Sequence, residues 1–247
     1  MELSIVIPAY NEEKRLPRTL ERIFSYLGTH YRGAYEVVVV DDGSQDRTSE
    51  VVGQLAASYP QLRLITFERN RGRGVVVRDG IFAARGEFVL EADADGSVGE
   101  EAIVRFLDYF RTHRDVDMLT GSRTIQGARV IVPQPWLRVA LGWAFILLTR
   151  IMFGWPLYDR INGFKMFPRN VARDIFSFTR ESSFFGEAEV VYVAERRGWR
   201  VKELPVDWSD NRDSRIRPLR ESWRSFWGMF RVLWRDWHGV YTSNQTR

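Results

Sequence analysis

The sequence predicts an α/β fold in which a mostly parallel sheet is flanked by helices. Over the first 120 residues, short β-branched runs alternate with stretches of helical periodicity, which is typical of βαβ units. Residues 37–40 are apolar at every position, as in a strand buried on both faces. No glycine-, serine- or proline-rich linker divides the 247 residues, so we expect one continuous domain with a C-terminal extension.

Five strands and four helices are predicted in the first half of the chain. The strands cover residues 3–7, 36–40, 62–66, 88–90 and 116–119. The helices between them cover residues 13–27, 47–58, 74–84 and 100–111. Each helix would lead from one strand to the next, which is the connection that parallel strands require.

The second half of the chain predicts more helix and less strand. An apolar helix is expected over residues 136–153, with Arg138 and Arg150 as its only charged groups. Pro218 begins an amphipathic helix that continues over residues 219–237. The remaining elements are two short helices and one strand, at residues 170–176, 187–197 and 201–208.

Two of these helices predict contact with a membrane surface. The apolar segment 136–155 has a tryptophan at each end, and the last helix interleaves aromatic and basic residues, a composition that suits a bilayer interface. Its aromatic residues are Trp223, Phe226, Trp227, Phe230, Trp234 and Trp237, with Arg224, Arg231 and Arg235 among them. The alternative is that both helices simply cover the sheet. The apolar stretch 139–149 is too short to span a bilayer, so we expect no transmembrane helix. The residues before the first strand lack the pattern of a signal peptide, so we expect none.

Composition excludes several kinds of site. The chain has no cysteine, which rules out disulfides and cysteine-ligated zinc. Its three histidines lie far apart in the sequence and predict no metal cluster. The formal net charge of +4 is mildly basic and is only weak support for an anionic partner.

Polar residues follow the first two predicted strands, where ligands of open α/β sheets bind. The segment 7–12 has the sequence Ile-Pro-Ala-Tyr-Asn-Glu, in which Tyr10 and Glu12 could stack on and hydrogen-bond a base. The alternative is a turn in which Asn11 caps the next helix. Asp41 and Asp42 follow the second strand and could bind ribose hydroxyls or base N–H groups, or could form an Asp-Gly turn. The Asn-Arg-Gly-Arg-Gly segment 70–74 permits close backbone approach or is merely a turn.

The strongest single motif follows the fourth strand. Residues 91–96 have the sequence Glu-Ala-Asp-Ala-Asp-Gly, with alternate carboxylates at the end of an apolar strand. Such carboxylates are costly there unless a cation or hydrogen bonds compensate them. A hard divalent ion held by Asp93 and Asp95, with phosphate oxygens completing its shell, fits this pattern. The alternative is an acidic surface loop.

Taken in order, these motifs resemble those of the family 2 glycosyltransferases, and most closely the dolichyl- or polyprenyl-phosphate hexose synthases. The resemblance continues through Gly121-Ser122-Arg123, Asn162-Gly163-Phe164-Lys165, Glu187-Ala188-Glu189-Val190-Val191-Tyr192 and Ser214-Arg215, so it covers residues 3 to about 220. Ser97 and Ser209 stand where the mannosyl branch has glutamine and arginine, so the sequence is more similar to the glucosyl branch. The resemblance implies a Rossmann-like GT-A glycosyltransferase fold.

The resemblance also implies roles for individual residues. The nucleotide sugar would be bound by Pro8, Ala9, Tyr10, Glu12, Val40, Asp42, Asp93, Ala94, Asp95 and Arg123. Mg2+ or Mn2+ would be held by Asp93 and Asp95. The catalytic groups would be Asp95, Arg123, Lys165, Glu187, Glu189 and Arg215, the last at a position where relatives usually have lysine. Of the two glutamates, one would orient the sugar or the basic residues, and the other could be a surface group.

The implied function is inverting transfer of a hexose, glucose first, from a nucleoside diphosphate sugar such as UDP-glucose to a polyprenyl or dolichyl phosphate. A phosphate acceptor is already ionised near pH 7, so it needs positioning cations more than a general base. Three alternatives remain: a GDP-mannose-dependent synthase, a transferase acting on a saccharide or soluble acceptor, and a non-catalytic nucleotide-sugar or membrane-binding module.

The expected organisation and location follow from the same resemblance. The catalytic domain would cover residues 1–217, including the apolar helix near residues 136–155, and residues 218–247 would form the amphipathic helix and tail. The protein would be cytoplasmic and peripherally associated with the cytoplasmic face of a membrane. We expect no nucleic-acid partner.

Overall fold

The computed structural model describes residues 1–133, 136–154, 159, 162–183, 185–210 and 218–242. Its strands are β1 Leu3–Ala9, β2 Tyr35–Asp41, β3 Leu62–Thr66, β4 Phe88–Glu91, β5 Met118–Ser122, β6 Arg129–Val132, β7 Lys165–Pro168, β8 Val201–Pro205 and β9 Asp207–Ser209. Its helices are α1 Leu16–His30, α2 Thr48–Ser58, α3 Arg73–Ala83, α4 Glu101–Thr112, α5 Trp136–Phe153, α6 Arg169–Phe178, α7 Gly186–Arg196 and α8 Pro218–Trp237.

Seven strands form the main sheet, in the order β3-β2-β1-β4-β7-β5-β8. All neighbouring pairs are parallel except those that involve β7, which runs antiparallel to both β4 and β5. The predicted α/β fold with a mostly parallel sheet is therefore confirmed. The order of strands reverses at β1, which lies between β2 and β4, and ligands of open sheets bind at such a switch point.

Alternate residues of the central strands face two separate parts of the core. Ile5 and Ile7 of β1 pack with α1 and α4, whereas Val6 of the same strand packs with α3, α6 and α7. Both faces of β1 and β2 are thus covered by helices, which explains why residues 37–40 are apolar without alternation.

The sequence-based boundaries differ from the structure where local signals were weak. The prediction missed β7, because Lys165–Pro168 is only four residues long, starts with lysine and ends with proline. It also missed β6, and it merged β8 and β9, which are separated at Val206. Helix α1 begins at Leu16 instead of residue 13, because residues 11–15 form the turn that leads from β1.

Helix α8 packs on the same side of the sheet as α7. Its Met229 and Val232, with Tyr241 beyond its end, are fully buried in the core that α3, α6 and α7 share. The opposite face is aromatic and exposed: Trp223, Trp227, Phe230, Trp234 and Trp237. Among the described residues, no helix is long and apolar enough to cross a membrane.

Candidate active site

The loops that follow β1 and β2 are joined by hydrogen bonds. The backbone N–H of Asn11 donates to Oγ of Ser44 at 2.8 Å, and its side-chain Oδ1 accepts from the N–H of Gln45 at 2.8 Å. Asn11 has φ of 57°, a left-handed conformation that asparagine tolerates better than most residues. It does not cap α1, whose N-cap is Arg15. Tyr10 is exposed beside this junction.

Asp42 connects the second loop to the third. Its carboxylate is buried and accepts the backbone N–H groups of Arg71 and Gly72, at 2.6 and 3.0 Å. Burial raises the pKa of Asp42, although these two hydrogen bonds oppose the shift. Asp42 therefore fixes the position of segment 70–74 in addition to any contact with a ligand. The adjacent Asp41 accepts from Ser44 and Ser49.

The segment 70–74 carries a residue that the sequence analysis missed. Arg73, the first residue of α3, contacts three carboxylates from distant parts of the chain. Its Nη2 lies 3.0 Å from Oε1 of Glu91 and 2.8 Å from Oδ1 of Asp93, and its Nε donates to Oε1 of Glu187 at 2.7 Å. These four residues and Lys165 form what we call the Arg73 cluster.

Lys165 lies on the buried side of this cluster. Its ammonium group is fully buried and donates to a carboxylate oxygen of Glu187 and to the backbone carbonyl of Asn162. Lys165 was expected to face the acceptor, but in this position it compensates the charge of Glu187. Burial would raise the pKa of Glu187, but Lys165 and Arg73 outweigh it and hold the pKa below its usual range.

Glu91 is the least compensated group of the Arg73 cluster. It is fully buried, and burial together with the negative charge of Glu187 raises its pKa well above the ordinary range. Its Oε2 has no hydrogen-bond partner among the described residues, nor do the buried Oγ1 of Thr120 and Nδ2 of Asn162. Glu91 and Thr120 are the cross-strand neighbours of Lys165, so two of these unpaired atoms belong to side chains on one row of the sheet.

Asp93 and Asp95 lie beyond the end of β4, next to β1. The N–H of Ala92 donates to the carbonyl of Val6 at 3.0 Å, which places the loop alongside the carboxyl end of β1. Oδ1 of Asp95 accepts from the N–H and Oγ of Ser97, at 2.9 and 2.6 Å. The side chain of Asp93 is 34% exposed, so it is reachable from solvent despite its ion pair with Arg73.

These two carboxylates suit a hard divalent cation that is shared with a ligand. Among the described residues, no group of three His, Asp or Glu side chains is arranged to hold a metal ion on its own. Hydrogen bonds and ion pairs within the described part reach Asp93 and Asp95 at Oδ1, so Oδ2 of each could serve as a ligand. Two carboxylate oxygens plus phosphate oxygens are a usual shell for Mg2+.

Arg123 extends from the end of β5 toward the same edge of the sheet. Its Nε and Nη2 form a bidentate pair with Asp159, both at 2.7 Å, and its guanidinium lies 5.2 Å from the ring centre of Trp208. The pKa of Arg123 is raised: burial opposes the shift, but the charges of Asp159 and, more weakly, Asp93 outweigh it. Sequence analysis missed Asp159, whose isolated position in the sequence gave no signal.

The two glutamates of α7 are both buried. Glu187 belongs to the Arg73 cluster, as described above. The expectation that one of the pair is a surface group is wrong, because Glu189 is fully buried. It accepts the backbone N–H groups of Arg180 and Glu181, at 2.8 and 2.7 Å, and side-chain donors from Arg235 and Tyr241.

Most of the other predicted site residues are buried or hydrogen-bonded, and two lie outside the described part of the chain. Ala9, Val40 and Ala94 are buried, and the carbonyl of Ala94 accepts from Oγ1 of Thr19 at 2.9 Å. The N–H of Glu12 donates to Thr48, while its carboxylate pairs with Arg15. Pro8 lies within β1. Ser214 and Arg215 lie outside the described residues.

Comparison with known proteins gives a consistent result. Residues 4–176 match the protein family described as Glycosyl transferase family 2. The chain is 33% identical over 234 residues to human dolichyl-phosphate beta-glucosyltransferase, covering 88% of this chain and 70% of the human one. The Dictyostelium discoideum protein of the same name is 28% identical over 248 residues, covering 97% and 76%.

A solved structure shares the fold. Glucosyl-3-phosphoglycerate synthase from Mycobacterium tuberculosis, crystallised with Mn2+ and uridine-diphosphate-glucose, superposes with a TM-score of 0.67. The match covers 93% of this chain and 77% of that one, at 14% sequence identity. At this identity the similarity shows a common fold.

Proposed function

Because the chain belongs to glycosyl transferase family 2 and is a glycosyltransferase, we propose that it transfers a hexose from a nucleoside diphosphate sugar to dolichyl or polyprenyl phosphate. The proposed donor is UDP-glucose, and the transfer inverts the anomeric carbon. Support comes from the relatives named dolichyl-phosphate beta-glucosyltransferase and from the fold shared with a synthase crystallised with uridine-diphosphate-glucose.

The observation that carries the proposal is the position of Asp93 and Asp95. They lie beyond the carboxyl end of β4, at the switch point of the sheet, and the loops after β1 and β2 begin at the same edge. The uridine moiety would occupy the neighbouring loops, with Tyr10 and Asp42 as its nearest polar or aromatic groups. Pro8, Ala9, Glu12, Val40 and Ala94 would complete this part of the site.

Mg2+ or Mn2+ would be held by Asp93 and Asp95 together with the donor diphosphate. A divalent ion there supplies Lewis-acid stabilisation of the charge that grows on the leaving diphosphate. The positive charge of Arg73, 2.8 Å from Asp93, contributes to the same electrostatic environment.

The acceptor would be a lipid phosphate. One of its oxygens forms the bond to the anomeric carbon while the bond from that carbon to the diphosphate breaks, and UDP departs. Because the phosphate is ionised near neutral pH, with a second pKa of about 6, the reaction needs no strong base. Arg123, held in place by Asp159 and Trp208, is the proposed positioning cation, with Arg215 as a second.

The buried residues of the Arg73 cluster would hold the solvent-facing residues of this site in position. Glu187 holds Arg73 and is itself paired with Lys165, so Lys165 acts through Glu187 without touching the acceptor. The proposal for Glu189 is similar: it positions the loop that contains Glu181 and would not contact substrate.

A matched acceptor assay tests this function. The enzyme is incubated with UDP-glucose and either a short polyprenyl phosphate or the corresponding polyprenol, and released UDP is measured. We expect release with the phosphate only. Equal glucosylation of the polyprenol would refute the phosphate acceptor, and activity only on saccharides would assign the chain to the saccharide-directed relatives. The same assay with GDP-mannose tests the sugar.

We also propose that the exposed aromatic face of α8 contacts the membrane that carries the acceptor. Five large aromatic side chains are exposed there: Trp223, Trp227, Phe230, Trp234 and Trp237. Exposed Leu147 and Ile151 of α5 provide apolar surface on a second helix. Arg231 and Arg235, which were expected on this face, instead donate to Glu181 and Glu189. The contact would therefore be mainly aromatic, with tryptophan at the headgroup level.

Vesicle flotation measures this contact. Wild-type protein should float with anionic vesicles, and changing Trp227 and Trp234 to serine should reduce the bound fraction. Any charge-dependent part of the binding should weaken as salt rises, because surface charges are screened over about 8 Å at physiological ionic strength. Absence of wild-type flotation at low salt would leave α8 as a packing element.

A further inference from the structure

Ser97 lies two residues after the second proposed metal ligand, Asp95, and makes two contacts with it. Its backbone N–H and its hydroxyl both donate to the same oxygen of Asp95, Oδ1, at 2.9 and 2.6 Å. The carboxylate is thus held at one oxygen by two donors two residues away. Rotation that would exchange Oδ1 and Oδ2 breaks both hydrogen bonds.

Ser97 is itself fixed by a distant strand. It is buried, and its backbone carbonyl accepts the N–H of Ser209 at 2.9 Å. The backbone of the next residue, Val98, forms a β-bridge with the backbone of Trp208, the residue whose side chain lies against Arg123. The orientation of Asp95 is therefore connected through Ser97 to β9 and to the proposed acceptor cation.

We propose that Ser97 is a positioning residue that orients Asp95 so that Oδ2 alone binds the divalent cation. This inference rests on the proposed function, since it takes the metal and donor diphosphate from it. Mg2+ requires near-ideal octahedral geometry, so a carboxylate with one oxygen already engaged favours the single-oxygen binding that leaves room for phosphate oxygens. Groups that hydrogen-bond a metal ligand commonly change metal affinity 10- to 100-fold when removed.

Asp93 is held differently, which makes the role of Ser97 separable. Its Oδ1 is paired with the guanidinium of Arg73, so its orientation depends on a full positive charge and on the Arg73 cluster. Ser97 is neutral and lies outside that cluster. Replacing it alters the orientation of one metal ligand without changing the charge of the site.

The test is a titration of Mn2+ in the presence of UDP, with free Mn2+ measured by electron paramagnetic resonance. Ser97→Ala removes the hydroxyl but keeps the backbone donor, so we expect Mn2+ affinity to fall about tenfold. Ser97→Thr keeps a hydroxyl and should restore most of the affinity. Ser209→Ala is the control, because Ser209 contributes only its backbone N–H to Ser97 and should bind Mn2+ as the wild type does.

Kinetics provide a second readout. Ser97→Ala should need about tenfold more Mn2+ for half-maximal turnover, yet should approach the wild-type kcat at saturating Mn2+. Equal Mn2+ affinity in Ser97→Ala and wild type would overturn the inference, as would a kcat loss that saturating Mn2+ does not recover. If Mn2+ affinity shifts as expected but no UDP is released with any polyprenyl phosphate, the inference stands and the proposed function fails.

Discussion

Two clusters of buried charge lie side by side under the same helix, and they differ in how completely their polar atoms are paired. The first turn of α7 contributes Glu187 to the Arg73 cluster and Glu189 to a second cluster beneath α8. In the second cluster every carboxylate oxygen has a partner: Glu181 is bound by Arg231 and Ser183, and Glu189 by two backbone N–H groups, Arg235 and Tyr241.

The Arg73 cluster lacks that completeness. Among the described residues, Oε2 of Glu91, Oγ1 of Thr120 in β5 and Nδ2 of Asn162, just before β7, have no hydrogen-bond partner, and Asp93 is partly open to solvent. Buried polar atoms are almost always paired, so a local group of exceptions marks a place where the protein is arranged for something other than its own stability. Within the described part of the chain, Nη1 of Arg197 is also buried and unpaired, so one such atom does not mark a site by itself. We infer from the group of three that the Arg73 cluster belongs to the proposed binding site, whereas the fully paired cluster serves stability.

The largest expected effect concerns the proposed metal site, which shares Asp93 with the Arg73 cluster. Asp95→Asn should lower the turnover of UDP-glucose about 100- to 1000-fold, because it weakens a proposed ligand of the metal ion that would stabilise charge on the leaving diphosphate. The free energy of unfolding should stay within about 0.5 kcal/mol of the wild type, since asparagine keeps the Oδ1 that accepts both hydrogen bonds from Ser97. Asp108→Asn, at an exposed position on α4, is the control and should affect neither measurement. Full activity of Asp95→Asn in excess EDTA would contradict the metal assignment.

The paired cluster should show the reverse pattern. Arg231→Gln removes two hydrogen bonds to the buried Glu181, so we expect unfolding free energy to fall by about 1.5–3 kcal/mol. Turnover of a short, water-soluble polyprenyl phosphate should change less than about twofold in protein that remains folded. Denaturant titration and initial rates measure the two effects, with exposed Arg114→Gln as the control. A large loss of turnover without loss of stability would show that the two clusters are not distinct.

Adding one methyl group at Gly163 should separate the effect on turnover from the effect on stability in the Arg73 cluster. A Cβ at Gly163 would lie 2.6 Å from Nη2 of Arg73 and 2.6 Å from Oδ1 of Asp93. Both are ends of flexible side chains, so Gly163→Ala should displace them at small cost in stability while lowering kcat/KM about tenfold, equivalent to roughly 1.4 kcal/mol. Gly53→Ala in α2, where a Cβ would meet nothing within 4 Å, is the matched control. Unchanged kcat/KM would indicate that the geometry around Arg73 is not needed for turnover.

The smallest expected effect is a difference in pH dependence. Burial would raise the pKa of Glu181, but hydrogen bonds from Arg231 and Ser183 outweigh it, so the folded-state pKa lies below the ordinary value. Its contribution to stability is therefore present above the unfolded-state pKa of about 4.3 and is lost as the pH falls through the folded-state value. The stability difference between wild type and Glu181→Gln should shrink below about pH 4. Denaturant titrations at several pH values, with exposed Glu68→Gln as control, measure it; a difference that grows in acid would reverse the sign.

The sequence indicated those residues of the candidate active site that belong to local motifs, and it missed those defined by distant partners. Asp93 and Asp95 follow an apolar strand, and that position alone placed them at the correct edge of the sheet. Arg73 was missed because its partners lie up to 114 residues away, and no local pattern indicates such a pairing. Glu189 was misjudged as a possible surface group for the same reason: the donors that satisfy it come from α8 and Tyr241. Strand β7 was missed because tertiary pairing, more than β-propensity, determines its conformation.

The contact between Gly74 and the loop 180–183 has a consequence for chimeric enzymes. A Cβ at Gly74 would lie 2.0 Å from the carbonyl oxygen of Glu181, so the segment that carries Arg73 rests directly on the loop that α8 secures. Arg231 and Glu181 thus help to support segment 70–74. Exchanging α8 for a membrane-binding helix of another protein would remove that support, unless the graft also supplied arginines matching Arg231 and Arg235.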